Sequence, residues 1–191
     1  LNSTYGESKT TYDEAPIYAV IVFDRSNSMT DKAGKWNNAI KAARAFAEGL
    51  IEKYSKANIA VVTFGTTAKT TQEFINSNLI GISDDTLFGY APTDQWDVNG
   101  ATNLHAGLEK AKTLLSSDDI KKDAKKYVIV ISDGAPTKYG VNGDGGSGTD
   151  TNYYCIDYPV NTAKTLKESG VEIFTVGYDL SDEIIYRGGW L

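Results

Sequence analysis

Four short apolar runs punctuate the chain, at 17–23 (IYAVIVF), 58–64 (NIAVVTF), 126–132 (KYVIVIS) and 171–176 (VEIFTV). Continuous rather than alternating, each predicts a strand buried on both faces. Between them, apolar residues recur at the three- and four-residue spacing of an amphipathic helix. One such stripe is Trp36, Ile40, Ala43, Ala47, Leu50 or Ile51, and Tyr54, within a helix over 35–54. A second is Leu104, Leu108, Ala111 and Leu115, over 102–115. A third is Val160, Ala163 and Leu166, over 158–169, with Gly170 as its stop. Residues 68–74 are polar and Thr-rich and predict a short edge strand reached by a tight turn. Residues 75–99 predict a short helix and loops. This alternation predicts an α/β fold: a mostly parallel sheet with one short antiparallel edge strand and helices on both faces, three layers in all. The crossovers should be right-handed.

Two stretches depart from the alternation. Residues 134–157 form a connection longer than most, containing the run Asn142-Gly-Asp-Gly-Gly-Ser-Gly beside Tyr139, Tyr153 and Tyr154. It reads either as a mobile surface loop or as a binding loop beside an α/β site. Its Asn/Asp/Gly spacing resembles a calcium loop, but the closing Glu is missing. The other departure is the end of the chain, where no final helix is evident after Asp182 to cover the last strand. With 191 residues, the expectation is a single domain over 1–191, preceded by a polar extension, 1–15, with no signal-peptide pattern. The C-terminal helix is expected to be incomplete.

Composition narrows the function. A net charge of −6 argues against nucleic acid, whose phosphates need a basic surface. No apolar run approaches the ~20 residues of a membrane span. Cys155 is the only cysteine, which excludes an internal disulfide and a Cys-rich zinc site; it reads as inert. Cysteine usage leaves the compartment undecided.

In parallel α/β sheets, ligands gather beyond the carboxyl ends of the strands. The first run is followed there by Asp24, Arg25, Ser26, Asn27 and Ser28, the third by Asp133, and the 102–115 helix is preceded by Asn99, Gly100, Ala101 and Thr102. Two carboxylates and three hydroxyls thus converge from three loops. Oxygen donors of this kind suit a hard cation. Mg²⁺ fits best, because it takes few protein ligands and keeps several waters; Mn²⁺ or Ca²⁺ are the substitutes. Zn²⁺ lacks its His and Cys ligands.

Asp24-x-Ser26-x-Ser28, then Thr102, then Asp133 resembles the metal-ion-dependent adhesion site of the von Willebrand factor type A family. The order of strands and helices is similar to that family from Ile17 to Gly177. The resemblance implies a Rossmann-like fold in which Ser26, Ser28 and Thr102 contact the ion directly and Asp24 and Asp133 act largely through water. It further implies an open position for a partner's Glu or Asp, and a ligand affinity that changes with conformation. Phe23-Asp-Arg-Ser-Asn-Ser-Met, with Lys35-Trp36-Asn37 and Ala42-Ala43-Arg44-Ala45-Phe46, is similar to the A domains of Gram-positive surface and pilus-tip adhesins. That implies an extracellular, wall-anchored protein binding host matrix or a cell-surface receptor. Asn27 stands where those sequences often have Gly.

Plainer readings exist for each residue. Asp24 and Asp133 suit turns, and Thr102 suits a helix N-cap. His105, the only histidine, reads as an ordinary helix residue. Arg25 reads as a solvated charge or a partner for Asp133. Tyr90 and Trp96 are either loop packing or rim contacts. Catalysis is poorly supported: there is no G-x-S-x-G, no phosphate-binding P-loop and no glycine-rich turn after the first strand. An Asp-nucleophile phosphohydrolase would need a second Asp two residues after Asp24. An intracellular assembly module using the same metal site is the other alternative.

Overall fold

A computed structural model describes residues 15–30, 34–76, 79, 81–92 and 100–177. The elements run β1 (Ile17–Asp24), α1 (Lys35–Lys53), β2 (Ala57–Phe64), β3 (Ala68–Ile75), α2 (Asp84–Phe88), α3 (Leu104–Leu115), β4 (Lys125–Ser132), α4 (Tyr153–Glu168) and β5 (Val171–Gly177). A 3-10 turn, Asn27–Met29, follows β1. The strands form one sheet in the order β3-β2-β1-β4-β5. β1 is parallel to β2 and β4, and β4 is parallel to β5, whereas β3 runs antiparallel on the edge. This is the three-layer α/β architecture expected from the sequence.

The strands bury both faces because alternate residues serve different helices. Ala19, Ile21 and Phe23 pack with Trp36, Ile40, Ala43 and Ala47 of α1 and with Leu87 and Phe88 of α2. Phe23 meets Trp36 edge-on at 5.3 Å and Phe88 at 4.8 Å between ring centroids. Val20 and Val22 face the other way, onto Leu104, Leu108, Ala111 and Leu115 of α3 and Ala163 and Leu166 of α4.

Three expectations are corrected. The third helix starts at Leu104, not Thr102, because Asn103 takes the N-cap and its side chain accepts from the Ala106 amide at 3.1 Å. The last helix starts at Tyr153, five residues early. Asn152 caps it by accepting from the Cys155 amide at 3.1 Å, so Pro159 lies inside the helix rather than in its first turn. Its inward face then carries Cys155, Pro159, Thr162, Ala163 and Leu166, and Val160 is only half-buried. Finally, β5 is not buried on both faces. Val171 is buried, but Phe174 is 52% and Val176 43% exposed, because no helix among the described residues covers that face of β5. The C-terminal helix question after Asp182 lies outside the described residues.

Candidate metal centre

Both β1 and β4 end at the same rim, in register at Phe23 and Ile131, so Asp24 and Ser132-Asp133 leave the sheet side by side. Asp24 is fully buried. One of its oxygens accepts from the Ser26 amide at 2.7 Å, and the other accepts from the Ser132 hydroxyl at 2.5 Å. Burial pushes the Asp24 carboxyl up to about 7, against the pull of the Ser132 and Ser26 hydrogen bonds, with the nearby Asp133 charge adding slightly. Ser26 and Ser28, two apart on the turn, bring their hydroxyls to 2.9 Å, and the Ser28 hydroxyl donates to Asp133 at 2.7 Å.

Thr102 reaches this rim from a third loop. The Asn27 amide donates to the Gly100 carbonyl at 2.8 Å, tying the two loops together. A Cβ at residue 100 would meet the Asn27 carboxamide, so this close approach favours glycine. The Thr102 backbone is held on both sides. Its N–H donates to the Thr137 hydroxyl at 3.2 Å, and its carbonyl accepts from the Thr137 amide at 2.8 Å. The Thr102 hydroxyl has no hydrogen-bond partner among the described residues. Freed from capping by Asn103, Thr102 remains available as a ligand.

Several partners were not legible beforehand. Lys35, at the start of α1, places its ammonium 2.8 Å from Asp133 and donates to the Ser28 carbonyl at 3.2 Å. No local signal could pair residues 98 apart in sequence. Lys35, not Arg25, is therefore the cation on Asp133. Arg25 instead lies against Gly89 and reaches the Tyr90 carbonyl at 3.5 Å. Tyr90 is 71% exposed on its loop rather than packed, and Trp96 and Asn99 lie outside the described residues. Ser132, the last residue of β4 and directly before Asp133, is the group that holds Asp24.

The 134–157 connection is pinned rather than loose. Tyr139 and Gly145 exchange backbone hydrogen bonds of 3.0 and 3.1 Å. Asn103 donates to the Gly140 carbonyl at 2.8 Å, and the Gly140 amide donates to His105 Nδ1 at 3.1 Å. Gly143 adopts φ +69°, and a Cβ there would overlap the Thr66 backbone carbonyl. His105 is accordingly no ordinary helix residue: burial holds its pKa below the usual value, although Glu109 opposes this, and its neutral ring accepts from the loop.

No group of three or more His, Cys, Asp or Glu that could hold a metal occurs among the described residues. The side-chain oxygens that the described residues bring to this rim are the Ser26 and Ser28 hydroxyls beside the Asp24 and Asp133 carboxylates. Three neutral hydroxyls backed by two carboxylates fit a small, hard, partly hydrated cation.

Solved structures carry the same fold. The von Willebrand factor domain of the type V pili tip protein Mfa5 from Porphyromonas gingivalis matches with a TM-score of 0.66 at 16% identity, covering 88% of this chain and 82% of that one. The pilus adhesin SpaC from Lactobacillus rhamnosus GG matches with a TM-score of 0.60 at 19% identity, over 92% of this chain but only 26% of that one. Proximal thread matrix protein 1 from the mussel byssus matches at 0.57 and 18% identity, over 86% of this chain and 38% of that one. No curated protein matches significantly by sequence. The family model of the von Willebrand factor type A domain matches residues 19–185, nearly the whole described sheet and its helices. The chain thus belongs to the von Willebrand factor type A domain family.

Proposed function

We propose that this chain is a metal-dependent adhesion module rather than an enzyme. Ser26, Ser28 and Thr102 would hold one divalent cation, Mg²⁺ first and Mn²⁺ or Ca²⁺ as substitutes, with Asp24 and Asp133 binding its waters. The observation that carries this reading is the meeting of Ser26, Ser28 and Asp133 within 2.9 Å hydrogen bonds at the carboxyl rim, with Asp24 locked behind them. When bound, the cation offers an open electrophilic position to a Glu or Asp of a protein partner.

The chain's own groups would do the rest. The Ser26 amide and Ser132 hydroxyl fix Asp24, so its carboxylate cannot rotate onto the ion itself. Asp133 spans Ser28 and Lys35, and so offers its charge without closing the site. Neutral hydroxyls as close ligands cancel little of the ion's charge, which favours capture of a partner carboxylate. Two similar structures, described as a pili tip protein and a pilus adhesin, support an extracellular, cell-surface role and a matrix or receptor protein as ligand. No helix among the described residues is long and apolar enough to cross a membrane. A binding role is favoured because the sole histidine spends its Nδ1 on the Gly140 amide and is no base for Ser26 or Ser28.

Calorimetric titration of Mg²⁺ into EDTA-stripped protein tests the reading. Wild type should bind one ion saturably and Asp24→Ala should not, with the fold retained by circular dichroism. Absence of binding in wild type, together with no EDTA-sensitive adhesion to matrix proteins, would reject it.

A further inference from the structure

A cleft of about 460 Å³ opens between α3 and α4. Its floor is His105 and Glu109 of α3, and its wall is Tyr154, Asp157, Tyr158 and Asn161 of α4. Tyr154 is 53% and Tyr158 41% exposed, which leaves aromatic surface open beside this helix pair.

The rings are held in place. Tyr139, at the base of the pinned loop, stacks against Tyr158 at 4.9 Å and Tyr154 at 5.6 Å between centroids. His105 meets the Tyr158 edge at 5.1 Å. Asp157 is fixed as well, accepting from the Asn161 amide at 3.0 Å and from the Tyr153 hydroxyl at 3.3 Å. A cleft with preset rings and a few oriented polar groups has the character of a small-molecule site.

Charge selects the ligand class. Burial alone would raise the Glu109 carboxyl, but the Lys112 ammonium at 2.6 Å and the Thr162 hydroxyl at 2.7 Å hold it low and satisfy it. Glu109 is therefore not a free acceptor for a cationic ligand. Asp157 is left as the one carboxylate able to take new donors, already sharing its oxygens with two neighbours. The lining contains no Lys or Arg to attract an anion. What remains is mixed donor and acceptor capacity, from Asn161, Asp157 and the tyrosine hydroxyls, beside the partly exposed Tyr154 and Tyr158 side chains. A pyranose presents the complement: a C–H face for the rings and hydroxyls that both donate and accept.

We propose that the Tyr154–Asp157–Tyr158–Asn161 cleft binds a neutral oligosaccharide, independently of the metal rim. Ring stacking and a few shared hydrogen bonds predict weak binding at one site, raised by multivalent display.

The test is an array of immobilised neutral and acidic oligosaccharides and a lysine-rich peptide, probed in EDTA, followed by saturation-transfer NMR on the strongest neutral glycan. The expected result is selective neutral-glycan binding that survives EDTA and Asp24→Ala. Tyr158→Ala and, separately, the surface change Asn161→Ala should each weaken it by about tenfold, with Mg²⁺ binding unaltered. If Tyr158→Ala misfolds, Asn161→Ala and Tyr154→Ser decide. The proposal is overturned if no neutral glycan binds, if these variants bind like wild type, or if the acidic glycans or the basic peptide bind better. Loss of glycan binding in EDTA would overturn it too, by assigning the ligand to the metal rim. Because the glycan arm runs without metal, its failure leaves the adhesion reading standing, and the reverse holds.

Discussion

Asp24 is a carboxyl with no exposure, compensated by the hydrogen bonds it accepts from Ser26 and Ser132. Burial raises its pKa to about 7, above the ordinary value of 3.8. Between those values the folded protein retains a proton that the unfolded chain has lost. Asp24 therefore favours folding at low pH, and that contribution declines as pH rises towards 7. In EDTA, denaturation midpoints should fall as pH rises from about 4 to about 7, and Asp24→Asn should flatten the slope. An unchanged slope in the variant would show that Asp24 is not its source. Lys35 sets a second expectation at this scale. Its ammonium neutralises Asp133, so Lys35→Met should raise Mg²⁺ affinity by about tenfold at low salt, less at high salt. Titration calorimetry reads the change, and weaker binding would mean that Lys35 orients Asp133 rather than competing for it.

At the scale of elements, the pinned loop decides the shape of the rim. Gly143 sits at φ +69° against the Thr66 carbonyl. Gly143→Ala should destabilise the protein by about 1–3 kcal/mol and expose residues 138–148 to limited proteolysis. Hydrogen exchange confined to that segment would confirm a local effect, and wild-type protection would refute it. His105 opposes Asp24 in pH behaviour. Its folded pKa lies below 6.5, so the unfolded chain binds protons first, and its contribution is lost as pH falls below that value. Acidification also asks His105 Nδ1 to carry a proton towards the Gly140 amide, so the loop's protection against exchange, relative to its intrinsic rate, should fall in acid. α4 shows why an element can be longer than its pattern. Pro159 lies inside the helix, and the Asn152 cap and the buried Cys155 sustain the turns before it.

For the whole molecule, a ligand that binds only the folded state stabilises it by mass action. Mg²⁺ at a hundredfold excess over its dissociation constant should add about 2.7 kcal/mol. For a chain of this size that corresponds to a melting shift of about 5–10 °C. Scanning calorimetry with and without EDTA measures it, and Asp24→Ala should abolish it. A shift retained in the variant would place the ion elsewhere.

The sequence by itself determined the strands, the order of elements and the residues brought to one rim. Continuous apolar runs such as 17–23 can only be buried between two helical layers, and the residues that follow them must then share an edge. Tertiary structure alone decided which groups meet across long separations. Lys35 reached Asp133, Ser132 took Asp24, Asn103 displaced Thr102 from the helix cap, and His105 captured Gly140. Periodicity reports which way a side chain faces relative to its own backbone. Partners on other elements depend on how those elements dock, and that is set by packing of the whole core.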